Sequence, residues 1–122
     1  MKKKIARPKA QAVARAILDM DFQWSAQFGD LGLNDINYSD LFCQMWAEDK
    51  AHFTKTALYE FMPGVSRRTA VRYVQQLIDS GWLIETSAEH DRRIKYVRLA
   101  ESIEDRLEQF LAFVHQRFAA LD

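Results

Sequence analysis

Apolar residues recur at three- and four-residue spacing over most of the chain, and the pattern switches to a different period only once. After Pro8, which suits an early helical position, Ala10, Val13, Ala14, Ile17, Trp24 and Phe28 fall along one face and predict a first helix over about 8–28. Asp21 interrupts that face. "GDLGLNDIN" then breaks the helix with glycines and turn-forming Asn and Asp. Ser39 is placed to cap a second helix with Leu41, Phe42, Met45 and Trp46 inward, ended by "HFT". Thr54 caps a short helix through Phe61, which "MPG" stops. Ser66 caps a fourth helix, 66–80, and Gly81 closes it in the usual C-terminal position. From there the period changes. "WLIET" and "KYVRL" are β-prone runs separated by "SAEHDRRI" and read as a hairpin with a charged tip, 85–98. Ser102 opens a last helix, 102–121, striped by Ile103, Leu107, Phe110, Leu111, Val114, Phe118 and Leu121.

The predicted fold is therefore mainly α with a small β-hairpin wing. Three helices followed by a two-stranded hairpin are the plan of a winged helix-turn-helix. With 122 residues, one domain over 1–122 is expected, its core at about 39–99. A chain this short buries only about two-thirds of its unfolded surface, so a second copy would add useful burial.

The fourth helix carries the most chemistry. With 100° per residue, Ala70, Val74 and Leu77 form a core face flanked by Tyr73 and Ile78. Arg68, Arg72, Gln75 and Asp79 lie opposite, Thr69 and Gln76 to one side, and Arg67 in the first turn beside Ser66. Arg donates two parallel hydrogen bonds to guanine, and Gln donates to and accepts from adenine. A helix N-terminus also favours a phosphate. Surface helices often carry these residues for solvation alone, but here a short helix and tight turn precede them and a hairpin follows. At the tip, Asp91 is placed to cap the turn and hold a neighbouring arginine. Arg92 and Arg93 are placed to reach a narrow minor groove, with Lys95 and Arg98 on the returning strand.

Formal net charge is zero, but it is unevenly spread. Lys2, Lys3, Lys4, Arg7, Lys9 and Arg15 make a start with no acid. Seven bases against four acids make residues 64–98 positive, and the segments between and after are acidic. Local asymmetry of this kind is what a phosphate backbone feels. The basic start adds either phosphate contacts or only solubility.

The stretch "GVSRRTAVRYVQQLIDSGWLIETSAEHDRRIKYVRL", Gly64 to Leu99, resembles the MarR family of bacterial and archaeal transcriptional regulators. Its Ser-capped helix, Leu77 then Gly81, and the Asp91-Arg92-Arg93 wing closing on Leu99 carry the likeness. "LAESIED" departs from the family, which usually continues as Leu-Thr with a glycine soon after. One long C-terminal helix replaces the usual pair. The resemblance implies a homodimer on a roughly palindromic DNA site. It implies major-groove contacts from Ser66, Arg67, Arg68, Thr69, Arg72 and Gln76, and wing contacts from Arg92, Arg93 and Lys95. The apolar stripes of the terminal helices, Ile17, Trp24, Ile103, Leu107, Phe110, Leu111, Val114 and Phe118, are candidates to pack across a two-fold axis, or else pack within one subunit. A small aromatic effector is a candidate partner, although Trp24, Phe28, Tyr38, Phe42 and Trp46 are as well explained by core packing.

Other chemistry finds little footing. The single cysteine, Cys43, sits beside Phe42 on an apolar face and reads as a structural thiol. It allows no intrachain disulfide, in keeping with a cytoplasmic setting. His52, His90 and His115 lack paired-ligand spacing, so no metal or cofactor is expected. No phosphate loop or nucleophile motif suggests an enzyme. No apolar run reaches the roughly 20 residues that span a bilayer. Two other readings stay open: a winged-helix protein-contact module without DNA binding, and a replication initiator.

Overall fold

A computed structural model describes residues 3–48 and 50–121. The start of the basic arm, Met1 and Lys2, lies outside these residues. The elements are α1 (Arg7–Phe28), a 3-10 turn (Gly29–Leu31), α2 (Ile36–Ala47), α3 (Lys55–Glu60), α4 (Arg67–Asp79), β1 (Leu83–Ser87), β2 (Lys95–Leu99) and α5 (Glu101–Ala119). The arrangement is the expected one, mainly helical with a two-stranded antiparallel wing. The chain groups into two compact units, Met1–Asn34 with Arg106–Asp122, and Asp35–Asp105. The second extends a few residues beyond each end of the predicted 39–99 core.

In the first unit, the Trp24 ring organises the packing. It stacks on Phe28 with centroids 4.2 Å apart and meets Phe110 edge-on at 5.0 Å. Its indole N–H would be costly to bury unpaired, and it donates to the Leu33 carbonyl at 2.8 Å. Gly32 makes this return possible: its φ of 74° is a left-handed conformation suited to glycine. Exposed ion pairs tie α5 to α1 and the turn that follows it: Arg106 to Asp30 at 2.8 Å and Arg117 to Asp19 at 2.8 Å. Such pairs contribute about 0–1 kcal/mol each.

In the second unit, α2 begins earlier than the sequence suggests. Ser39 is not its cap. Asp35 is, its Oδ1 accepting the Asn37 backbone N–H at 2.8 Å and the Asn37 side-chain amide at 2.6 Å. A carboxylate with two such donors is the stronger cap, so the helix gains just over a turn. Leu41, Phe42 and Met45 face the core as expected, but Trp46 is 41% exposed and does not. Thr54 and Ser66 cap α3 and α4, accepting from Ala57 N at 3.2 Å and Thr69 N at 3.2 Å. Gly81, at φ 79°, turns the chain out of α4 into the wing. Ser102 does not cap α5. The helix starts at Glu101, and the Ala100 carbonyl accepts from Ile103 N and Glu104 N, both at 3.0 Å.

The wing pairs Leu83 with Leu99 through Ser87 with Lys95. A third segment joins the wing beside β2. Phe53, read only as part of a helix stop, bridges to Val97 through bonds of 2.8 and 2.7 Å. Lys55 of α3 adds an ion pair to Glu85 of β1 at 2.7 Å.

The Asn37 backbone bond, with the Tyr73 and Asn37 side chains, holds the Asp35 carboxyl below its ordinary range. Its stabilisation is therefore complete above the unfolded value of about 3.9 and is lost as pH falls through the lower folded value. Asp35→Ala is expected to cost about 1–2 kcal/mol in urea unfolding at pH 7, and the gap from wild type should close on acidification.

Candidate nucleic-acid interface

The amphipathic division of α4 is as the wheel predicts. Ala70, Val74 and Leu77 are each 1% exposed. Arg67, Arg68, Arg72, Gln75 and Gln76 are exposed, and Thr69 is half-buried. The Ser66 hydroxyl, besides capping the helix, donates to Thr69 Oγ1 at 3.1 Å and so ties down the first turn. The backbone N–H groups of that turn gather partial positive charge at the end where the arginines stand.

The arginines differ in how they are held. The guanidinium carbon of Arg67 lies 5.0 Å from the centre of the Tyr59 ring on α3. That of Arg72 lies 5.7 Å from the centre of its neighbour Tyr73. Both distances lie in the range of a cation–π attraction. Gln75 donates to Asp79 at 2.9 Å, which occupies its amide, whereas Gln76 is exposed on the adjoining side.

At the wing tip, Asp91 does both things expected of it. Its Oδ1 accepts the Arg93 backbone N–H at 3.0 Å. Its two oxygens also take a fork from the Arg93 guanidinium, Nε to Oδ1 at 3.1 Å and Nη2 to Oδ2 at 3.0 Å. The guanidinium beside it holds the Asp91 carboxyl below its ordinary range, and the same pairing moves Arg93 upward. Arg93 is nonetheless open, its side chain 90% exposed, so the carboxylate orients it without covering it. Arg92 is exposed, and Lys95 donates to Ser87 at 2.8 Å across the strand pair. Thus Ser66, Arg67, Arg68, Thr69, Arg72 and Gln76 lie together on α4, and Arg92, Arg93 and Lys95 together on the wing of the same unit.

Several residues expected at a subunit interface lie elsewhere. Ile103 and Leu107 are fully buried, and Trp24 and Phe110 are 6% exposed. These four are filled in by their own chain and offer nothing to a partner. Ile17 is 43% exposed, and Leu111, Val114 and Phe118 are partly open. The sequence pattern missed Leu18 and Phe22, 66% and 76% exposed. Phe22 lies about 160° round α1 from Trp24 by helical geometry, on a second apolar stripe hidden behind the first.

Of the five aromatics considered for an effector, Trp24, Phe28, Tyr38 and Phe42 are buried core residues and only Trp46 is open. Trp46 borders a hollow of about 150 Å³, lined also by Met45, Phe53, Lys50 and Arg98. Among the described residues, no group of three or more His, Cys, Asp or Glu is placed to hold a metal ion. No described helix is long and apolar enough to cross a membrane. Cys43 is half-buried, and burial pushes its thiol up against a smaller opposing pull from Ser39. We expect folded protein at pH 7 to react with a disulfide thiol reagent at least tenfold more slowly than urea-unfolded protein, followed by absorbance.

No protein-family model matches the chain, and no curated protein sequence matches it. Solved structures do. A transcriptional regulator from Thermotoga maritima aligns with a TM-score of 0.63 at 16% identity, over 95% of this chain and 79% of that one. A mutant of MarR from E. coli, complexed with operator DNA, aligns with a TM-score of 0.55 at 18% identity, over 94% and 80%. BpsR from Bordetella bronchiseptica, whose DNA binding is regulated by 6-hydroxynicotinic acid, aligns with a TM-score of 0.53 at 15% identity, over 99% and 84%. At these identities the likeness is one of fold: the chain has the winged-helix fold of MarR-family transcriptional regulators.

Proposed function

We propose that the protein is a MarR-type, sequence-specific DNA-binding transcription regulator that acts as a homodimer in the cytoplasm. The observation that carries this reading is the pairing, in one compact unit, of an arginine-faced, Ser-capped α4 with a wing whose Arg93 is oriented by Asp91 yet left open. In this reading α4 enters the major groove, where Arg68, Arg72 and Gln76 meet base edges. Arg92 or Arg93 enters the minor groove, and Arg67, Lys95 and the α4 N-terminus take phosphates. The work is binding, and no catalysis is required.

A palindromic site calls for two-fold symmetry. Leu18 and Phe22, with Ile17, are the apolar residues α1 leaves open, and we assign the dimer contact to them together with Leu111, Val114 and Phe118 of α5. An exposed apolar row of this kind also fits contact with a different protein, the rival reading. Effector control belongs to the proposal as well. BpsR is regulated by a small aromatic acid, and here the hollow beside Trp46 is the open aromatic place. A ligand would release DNA only by binding the DNA-incompetent arrangement more tightly.

The test is fluorescence anisotropy with a duplex from beside the protein's own gene and with bulk genomic DNA, titrated across salt. Wild type should bind with strong salt dependence. Arg72→Ala with Arg93→Ala should weaken binding to its preferred duplex at least tenfold, each contact being worth about 1–3 kcal/mol. No binding even to bulk DNA at low salt would leave the protein-contact module as the reading. In sedimentation equilibrium, Phe22→Glu should shift the protein from dimer to monomer while its circular dichroism stays that of wild type. A monomeric wild type would overturn the dimer assignment.

A further inference from the structure

Tyr73 has no place in the contacts assigned so far. On α4 it stands at the border between the core face and the solvent face, half-buried. Its hydroxyl donates to Asp35 Oδ2 at 2.9 Å. Its ring stacks on Tyr38, with centroids 4.9 Å apart and planes 18° from parallel. Both supports are themselves fixed. Tyr38 is 8% exposed and rooted in the core. Asp35 is pinned through its other oxygen by the two Asn37 donors at 2.8 and 2.6 Å. The stack therefore fixes the plane of the ring, and the hydroxyl bond fixes the far end of its long axis.

The protonation states suit the arrangement. The Asp35 carboxyl, lowered by its donors, is an anion at neutral pH and accepts well. Its bond to Tyr73 pushes the phenol upward, against a weaker opposing influence from Arg72, so the donor keeps its proton.

The Arg72 guanidinium carbon lies 5.7 Å from the centre of this ring. A long arginine side chain samples many rotamers when free, and ordering it on binding subtracts from affinity. A two-bond contact with guanine also demands one orientation of the guanidinium plane. A ring that cannot turn supplies both an order and a plane before DNA arrives.

We propose that Tyr73, anchored by Asp35 and Tyr38, is a positioning residue that pre-orders Arg72 for base recognition. This rests on the DNA-binding reading. It makes Asp35, a helix cap on α2, a contributor to sequence specificity through two intermediaries. Arg67 provides an internal comparison, because it rests on a different ring, Tyr59 at 5.0 Å, and does not depend on Tyr73.

The experiment is a binding selection from a duplex library with a randomised centre, using the full chain as wild type, Arg72→Ala, Arg67→Ala, Tyr73→Phe and Asp35→Asn. Tyr73→Phe keeps the ring and its stack. Asp35→Asn keeps an N-capping oxygen. Wild type should enrich a motif, and Arg72→Ala should lose the preference for one base in each half-site. Tyr73→Phe and Asp35→Asn should each relax the preference for that same base about three- to tenfold and leave the others as they are. In an Arg72→Ala background Tyr73→Phe should add nothing. A merely structural role would weaken all positions alike, and that outcome overturns the inference. So does a Tyr73→Phe motif identical to wild type, or an Arg72→Ala motif that has lost no base. Failure of wild type to enrich any motif would instead remove the proposed function, and the inference with it.

Discussion

The burial of one side of α4 is the constraint on which the rest depends. Ala70, Val74 and Leu77 are almost wholly removed from water, and together that burial contributes a few kcal/mol at about 25 cal/mol per Å². It fixes the helix about its own axis. Once the axis is fixed, every other residue on α4 has a defined direction, and the positive side faces outward without any interaction of its own being needed. Ser66 at one end and Gly81 at the other then set where the helix begins and where the wing leaves it. The outward positive face of this helix is thus a by-product of packing on its other side.

Much of this was legible in the chain because it depends on local rules. The α4 cap, the glycine after it, the change of period into the hairpin, and the Asp91–Arg93 association all act over a few residues. Part of what failed to show depends on residues far apart in sequence. Ser39 looked like a cap because Ser is a good one, but Asp35 competes better once Asn37 and the distant Tyr73 donate to it. Spacing alone turns Trp46 inward, yet it is exposed beside the hollow that it borders with Met45 and Phe53. Phe53 sits in no periodic pattern, and its partner Val97 lies beyond two helices. In α1 a single stripe was read where there are two, because Trp24 and Phe28 dominate the pattern and Phe22 stands nearly opposite. Trp24, Ile103, Leu107 and Phe110, apolar at the same spacing, are enclosed by the chain itself.

Overall neutrality conceals how charge is used. In the wing, Asp91 supplies a negative charge inside a positive segment, and its purpose is geometric: it gives up two oxygens to aim one guanidinium. On α4 the aiming is done by aromatic rings instead, which leave the cation's charge uncompensated. The two devices differ under salt. Ions screen a carboxylate's hold on an exposed arginine, whereas a ring's hold comes partly from dispersion and contact. The α4 side of the surface is therefore the better defended of the two at high ionic strength.

The Phe53 rung carries a consequence for how the protein comes together. A lone two-stranded hairpin is marginal in water. Here the returning strand is completed by a residue that belongs, in chain order, ahead of α3 and α4. The wing cannot reach its final form until both of those helices have closed the loop that brings Phe53 alongside Val97. Loop closure over that distance has an entropic cost before any pairing repays it. The hairpin is consequently not a portable module. Excised, or joined to another scaffold, it would lack the rung that Phe53 adds beside Val97.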